Sequence, residues 1–143
     1  NLNVLTDYFQ RPELLAADGT VRHIILSEEG FTSDSISRGK VYDIQAAAFA
    51  YAYYLVDSNP YIDAFILNRQ VDSIGEVNTS CSFGLWTVDM ERPDKVIAVM
   101  PKNIHQVFKY IDTKKSLKYT EFAKSIIGIS NWSEVIPGFT LEQ

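Results

Sequence analysis

The hydrophobic pattern of the chain first becomes clear at "HIILSEEG" (23–30), where three consecutive apolar residues run into two carboxylates. An uninterrupted apolar run is typical of a parallel strand covered on both faces, whereas a half-exposed antiparallel strand alternates. Apolar residues with helical spacing and the turn residues "ADGT" (17–20) come before it. We therefore predict a helix near the start of the chain and a buried strand at 23–27.

A helix and a second strand follow a polar loop at 32–40. One helical face carries apolar residues at Ile44, Ala47, Ala48, Tyr51 and Leu55. The turn "DSNP" (57–60) ends this helix, and "YIDAFILN" (61–68) has the apolar run of another strand. The crossover is long enough for parallel pairing, so residues 23–68 predict a parallel strand, helix, strand unit.

The second half of the chain has a less regular pattern. A long polar loop at 70–82 precedes "FGLW" (83–86), which is compatible with a short extended segment, and 96–100 fits either a strand or a helix. Asn103 is a candidate cap for one helix, and apolar spacing from Tyr119 to Ile126 predicts another. The remaining 131–139 segment is expected to be irregular and aromatic.

Two parallel strands with several helices make an incomplete α/β architecture. All-parallel sheets occur almost only where helices cover both faces, and two strands are too few for that. No repeat or linker divides the sequence, so residues 1–143 are treated as one unit that requires further strands. The chain also starts at Asn1 without a Met or a signal peptide, which leads us to expect a mid-chain start.

Composition and charge narrow the function classes. The net charge of −5 and the pI of about 4.9 argue against nucleic acid as a partner, and Lys114, Lys115 and Lys118 are interpreted as a solvated helix edge. The longest apolar stretch, 46–56, is shorter than the roughly 20 residues of a membrane span, so no membrane partner is expected. The single Cys81 allows no internal disulfide, which leaves the compartment open, a secreted or periplasmic location included.

Polar side chains end both predicted strands. Glu28 and Glu29 follow the first strand, and Asn68, Arg69 and Asp72 follow the second. In parallel barrels, working residues lie at these carboxyl ends. Because successive strand residues face opposite sides, only one of the two glutamates can point into a shared cleft.

Each of these residues also has a structural interpretation. The two acids could form a solvated rim, Arg69 and Asp72 could pair with each other at the surface, and Trp86 could belong to the core rather than bind sugar. The histidines His23 and His105 lack metal-ligand spacing, so no metal site is predicted. No nucleophile elbow, P-loop or dinucleotide fingerprint occurs, and no cofactor is predicted.

The order of "HIILSEEGFTS", "QAAAFAYAYYLV", "IDAFILNRQVDS" and "FGLW" resembles the C-terminal part of DUF5722, a bacterial family of uncharacterised, glycoside-hydrolase-like (β/α)8 barrel proteins. The resemblance spans most of residues 1–112. It implies a partial TIM-barrel-like unit, about strands 7 and 8 with flanking helices, as a fragment of a larger barrel.

The resemblance also implies site residues. Retaining glycosidases with this barrel commonly end strand seven in Thr/Ser-Glu-aromatic-Gly, and "SEEG" (27–30) looks like that ending with Glu28 as the nucleophile. Glu29 stands where an aromatic residue is usual, which puts the adjacent subsite in doubt. Arg69 and Asp72 would line the cleft with Asn68, and Trp86 would stack on a sugar. This is a fold-level analogy, which constrains function loosely.

A retaining glycosidase needs a second, protonated carboxylic acid, which this barrel takes from its fourth strand. No residue of this chain corresponds to it, so we expect no turnover from the chain alone. The expected partners are a carbohydrate substrate and the remainder of the barrel or a second chain. Two alternatives stay open: a non-catalytic module that binds carbohydrate or protein, and a small α/β domain that dimerises through strand edges.

Overall fold

The computed structural model describes residues 2–140, and over that range the protein is mixed α/β with five α-helices and three two-stranded sheets. The helices are α1 (Leu2–Phe9), α2 (Tyr42–Asp57), α3 (Ile74–Val77), α4 (Asn103–Tyr110) and α5 (Ser116–Ile127). The strands are β1 (Ile24–Glu29), β2 (Asp34–Ser35), β3 (Gly39–Lys40), β4 (Ile62–Leu67), β5 (Trp86–Val88) and β6 (Ala98–Pro101). Short 3-10 turns cover Pro12–Leu14 and Trp132–Glu134. The strands of residues 2–140 do not close into a barrel.

The predicted parallel unit is confirmed. Strands β1 and β4 pair in parallel, with Ile25 opposite Ala64 and Leu26 opposite Phe65, and α2 forms the crossover between them. Helix α2 ends at Asp57, at the start of the predicted "DSNP" turn. The α/β class therefore follows from the pattern of residues 23–68.

The sheet formed by β1 and β4 is covered on one face only. Phe65 and Leu67 pack against the helical core, whereas Ile25 and Ile66 are 60% and 51% exposed. The expectation of a strand covered on both faces is wrong for the described residues, because the helices of residues 2–140 all leave this second face open. Within residues 2–140, β1 and β4 each have a single strand partner, so one edge of each is unpaired there.

The core lies where α2 packs against α4 and α5. Ala46, Ala47 and Ala50 on α2 are fully buried, and their small side chains let the helices approach closely. Ile44, predicted on the buried face, is 36% exposed. The buried surface differs from the predicted stripe because α2 is covered by α4 and α5 as well as by β4.

The aromatic tail completes this core. Trp132 and Ile136 are buried, and the indole meets the ring of Tyr54 edge to face at 4.7 Å. The Tyr54 hydroxyl lies 2.6 Å from Ser116 Oγ and 2.9 Å from Thr120 Oγ1, so its buried oxygen is hydrogen-bonded to α5. Residues 131–139 are thus irregular, as predicted, but Trp132 and Ile136 from this segment belong to the packed interior.

Several element boundaries differ from the sequence-based expectations. The polar loop at 70–82 contains the short helix α3, and the extended segment expected at 83–86 begins only at Trp86, as β5. The ambiguous stretch at 96–100 becomes β6, which pairs antiparallel with β5. Lys102, with extended backbone, takes the position before α4 that was predicted for Asn103.

Candidate functional site

The carboxyl ends of β1 and β4 meet at Glu29 and Asn68. The Asn68 N–H donates to the Glu29 carbonyl at 2.7 Å, and Glu29 lies opposite Leu67. The register shifts between Leu26 and Glu29, so β1 carries an extra residue just where it ends. Because of this extra residue, the regular alternation of side chains along a strand does not tell which face of the sheet Glu28 and Glu29 each point to.

Glu28 is exposed at this strand end, and Glu29 is half-buried. Among the described residues, neither carboxylate forms a hydrogen bond or an ion pair with another side chain. Both carboxylates can therefore contact chemical groups that residues 2–140 do not supply. The roles predicted for Glu28 and Glu29 stay predictions.

Arg69 is held by a carboxylate that the sequence did not single out. Its Nη2 donates to Glu76 Oε1 on α3 at 3.2 Å, and its Nε donates to Asn68 Oδ1 at 3.3 Å. The peptide bond between Asn68 and Arg69 is cis. The alternative of an Arg69 and Asp72 surface pair is not what the structure shows, since each residue has another partner.

Asp72 lies behind the strand ends in a buried ion pair. It is 3% exposed, and its Oδ1 accepts hydrogen bonds from Lys102 Nζ and from the Gly84 N–H, both at 2.7 Å. Lys102 also donates to Ser33 Oγ at 3.1 Å and to the Ser82 carbonyl at 3.2 Å. Burial lowers the pKa of Lys102, whereas the hydrogen bond and the charge of Asp72 oppose that shift.

This ion pair is the centre of a polar network that joins the loops after both strands. Gln45 on α2 donates to the carbonyls of Phe31 at 2.8 Å and Ser82 at 3.2 Å. Lys40 Nζ lies 2.5 Å from Asp34 Oδ1 and donates to Ser82 Oγ at 3.1 Å. Burial alone would raise the pKa of Asp34, but hydrogen bonds from Lys40 and Ser82 outweigh it and lower that pKa.

Trp86 begins β5 beside the segment that follows β4. The backbone N–H of Trp86 donates to the Gln70 carbonyl at 3.1 Å, and the backbone carbonyl of Trp86 accepts from the Asp72 N–H at 2.9 Å. The indole is half-buried, packs against the core and meets His105 edge to face at 5.0 Å. Its partial exposure is compatible with both the core and the sugar-stacking interpretations.

The structure thus brings Glu29, Asn68 and Arg69 together at the joined strand ends, with Glu28 beside them in sequence and Asp72 beneath the adjoining loops. Lys102 and Glu76 are the charged partners of predicted site residues that sequence reasoning missed. Lys102 lies 30 residues from its partner, a separation that leaves no local pattern. Glu76 had a signal, because an acid in a polar loop seven residues after Arg69 is within reach once that loop turns.

Some classes of site are not seen. Residues 2–140 bring no three His, Cys, Asp or Glu side chains together in a way that could hold a metal ion. Across the same range, every helix is too short or too polar to cross a bilayer.

The fold and the site define an α/β protein in which polar and charged side chains gather at the carboxyl ends of two parallel strands. The chain belongs to a family of unknown function, DUF5722, whose model matches residues 1–135. No match was found among curated proteins or among solved structures.

Proposed function

We propose that this chain is the C-terminal portion of a retaining glycoside hydrolase that acts on a polysaccharide or glycoside, with Glu28 as the nucleophile. The proposal depends on one observation above all. A parallel strand, helix, strand unit carries exposed Glu28 at the carboxyl end of its first strand, which is where barrel enzymes keep catalytic groups.

The open sheet supports a larger barrel. Parallel sheets are normally buried on both faces, yet Ile25 and Ile66 are exposed, and β1 and β4 each keep one edge unpaired in the described part of the chain. Further parallel strands would pair with these edges and enclose the apolar face. They would come from the remainder of the barrel or from a second chain.

In the proposed mechanism, this chain supplies the nucleophile, and the remainder of the barrel or the second chain supplies the acid. A Glu28 carboxylate oxygen attacks the anomeric carbon, the bond to the leaving oxygen breaks, and a second carboxylic acid gives that oxygen its proton. Water then attacks the glycosyl ester, delivers its proton to the second carboxylate and frees Glu28. The second acid comes from outside this chain, so the isolated chain is expected to be inactive.

The neighbouring residues have supporting roles in this proposal. Glu29 and Asn68 would form hydrogen bonds with sugar hydroxyls, and Arg69, fixed by Glu76, would line the cleft with its guanidinium. Trp86 offers a half-buried indole for stacking. The predicted direct contact between Asp72 and substrate stays a prediction, and it would require the Lys102 ion pair to open.

The proposal is tested by measuring glycoside hydrolysis by two proteins, the natural polypeptide that contains this chain and residues 1–143 alone. The natural polypeptide that contains this chain should hydrolyse members of a panel of aryl glycosides and polysaccharides, and residues 1–143 alone should not. Glu28→Gln should abolish turnover, whereas the adjacent Glu29→Gln, as matched control, should retain a measurable rate. Equal activity of the wild type and Glu28→Gln would contradict the proposal, and so would hydrolysis by the isolated chain.

A non-catalytic binding module is the second candidate function. The unpartnered state of Glu28 and Glu29 favours it, because no group within residues 2–140 orients either carboxylate. This function predicts that the natural polypeptide binds oligosaccharides without releasing product. Saturable binding in calorimetry, together with no hydrolysis of the bound sugar over the full substrate panel, would support it over the hydrolase.

A further inference from the structure

A stacked pair of tyrosines surrounded by lysines lies where α4 meets α5. The rings of Tyr110 and Tyr119 are 4.1 Å apart and nearly parallel. Lys109 Nζ and Lys115 Nζ each lie 5.3 Å from the centre of the Tyr110 ring, and Lys118 Nζ lies 5.8 Å from that of Tyr119. The rings therefore gather three ammonium groups within a small area.

The positive charge of this cluster is not neutralised by the described residues. Lys109, Lys115 and Lys118 form no ion pair among residues 2–140, and all three are exposed. Asp112 is the one acid within 109–118, and it lies near Tyr53 and Asp57, where burial first and then the charge of Asp112 raise the pKa of both. A basic patch thus persists on a chain whose net charge is −5.

A cavity of about 290 Å³ adjoins the tyrosine pair between the two helices. Its lining contains three polar residues, Asn103, Gln106 and Lys118, and three apolar or aromatic residues, Val107, Tyr119 and Phe122. Neither amide side chain forms a hydrogen bond within the described residues. Amides suit sugar hydroxyls, aromatic rings suit the apolar face of a pyranose, and an ammonium suits a carboxylate.

We propose that this cavity is a surface subsite for an acidic, uronate-containing oligosaccharide, with Lys118 on the carboxylate and Tyr119 on the sugar face. The net charge of −5 argues against nucleic acid as the occupant, and aromatic rings beside two amides suit the apolar face and the hydroxyls of a sugar better than the backbone of an acidic peptide. The subsite extends the proposed function, since it specifies a class of carbohydrate, but it does not require turnover at Glu28.

This subsite is tested by calorimetry of oligogalacturonate binding to the natural polypeptide. Neutral cello-oligosaccharides, polyglutamate and single-stranded DNA are the comparison ligands. Oligogalacturonate should bind, and the other three should bind at least tenfold more weakly. Lys118→Gln should weaken oligogalacturonate about tenfold or more, as expected for loss of a charge-assisted hydrogen bond. Lys95→Gln, which removes an exposed lysine elsewhere, should have no effect.

Three results would overturn the subsite. The first is that oligogalacturonate does not bind. The second is that polyglutamate or DNA binds as tightly as oligogalacturonate, and the third is that Lys118→Gln and Lys95→Gln change the oligogalacturonate affinity equally. Glu28→Gln should leave this binding unchanged, which separates the two proposals. Loss of turnover in Glu28→Gln with no binding at the subsite would refute the subsite alone, and binding without turnover would refute the hydrolase alone.

Discussion

Removing Lys102 should destabilise the protein more than any other lysine substitution. Lys102→Met keeps most of the side-chain volume but leaves the Asp72 carboxylate buried with the Gly84 N–H as its remaining partner. The Lys102 side chain is 0% exposed and that of Asp72 is 4% exposed, so water compensates neither. Breaking a buried pair by removing one member costs about 3–5 kcal/mol, a large part of the stability of an ordinary domain.

A double-mutant cycle measures this coupling by urea denaturation followed by circular dichroism. Asp72→Asn keeps an acceptor for Gly84 and removes the charge, so Lys102→Met with Asp72→Asn should be less destabilised than the sum of the single variants. Lys40→Met is the matched control, because the Lys40 side chain is 46% exposed and its pair with Asp34 should contribute below about 1 kcal/mol.

Two results would refute the reasoning about the buried pair. One is a cost of Lys102→Met no larger than that of Lys40→Met. The other is strict additivity of Lys102→Met and Asp72→Asn, which would mean that the two side chains do not interact in the folded protein. The comparison requires two-state unfolding, which coincident transitions by fluorescence and circular dichroism would establish.

Two further predictions concern the loops that join at this network. Gly84→Ala should lower the free energy of unfolding by about 3 kcal/mol, because an added Cβ would lie 2.3 Å from the Asp72 backbone nitrogen. Gly75→Ala should be neutral or stabilising in the same urea titration, because an added Cβ there would meet only Ser73 Oγ, at an ordinary 4.0 Å. Equal effects would contradict this. Because Asp34 has a lowered pKa in the fold, its contribution is present above the ordinary value of 3.8 and is lost as pH falls through the folded value. The urea midpoint of Asp34→Asn should thus fall below wild type at pH 7, and this deficit should shrink as the pH falls below 3.8 and through the folded pKa. A deficit that does not change with pH would count against the Asp34 interaction.

The sequence predicted the parts of the fold that depend on local pattern. The apolar runs and the alanine-rich helix of residues 23–68 suffice for the parallel unit, because period and turn residues act over short distances. The sequence also predicted that two parallel strands are too few to bury both faces of the sheet. It could not tell which side chains lie on the open face, because apolar strand residues look alike whether or not a partner covers them, and Ile25 and Ile66 turn out to be the exposed ones.

The site could be predicted only in outline. Strand ends are readable in sequence, so Glu28, Asn68 and Arg69 could be placed at one edge of a sheet. Pairing between distant parts of the chain cannot be read from sequence, so the sequence assigns Asp72 to the cleft, whereas the structure buries it in a hydrogen bond with Lys102. The register shift before Glu29 is also invisible in sequence, because a bulge is set by the partner strand.

Covalent labelling tests the central claim, that Glu28 is the nucleophile of a completed barrel, most directly. The natural polypeptide would be treated with a panel of 2-deoxy-2-fluoro glycosides and analysed by intact mass and peptide mapping. We predict one added glycosyl group, in an ester on Glu28, that is absent from Glu28→Gln and present in Glu29→Gln. A label on another carboxylate, or no label while turnover persists, would contradict the claim.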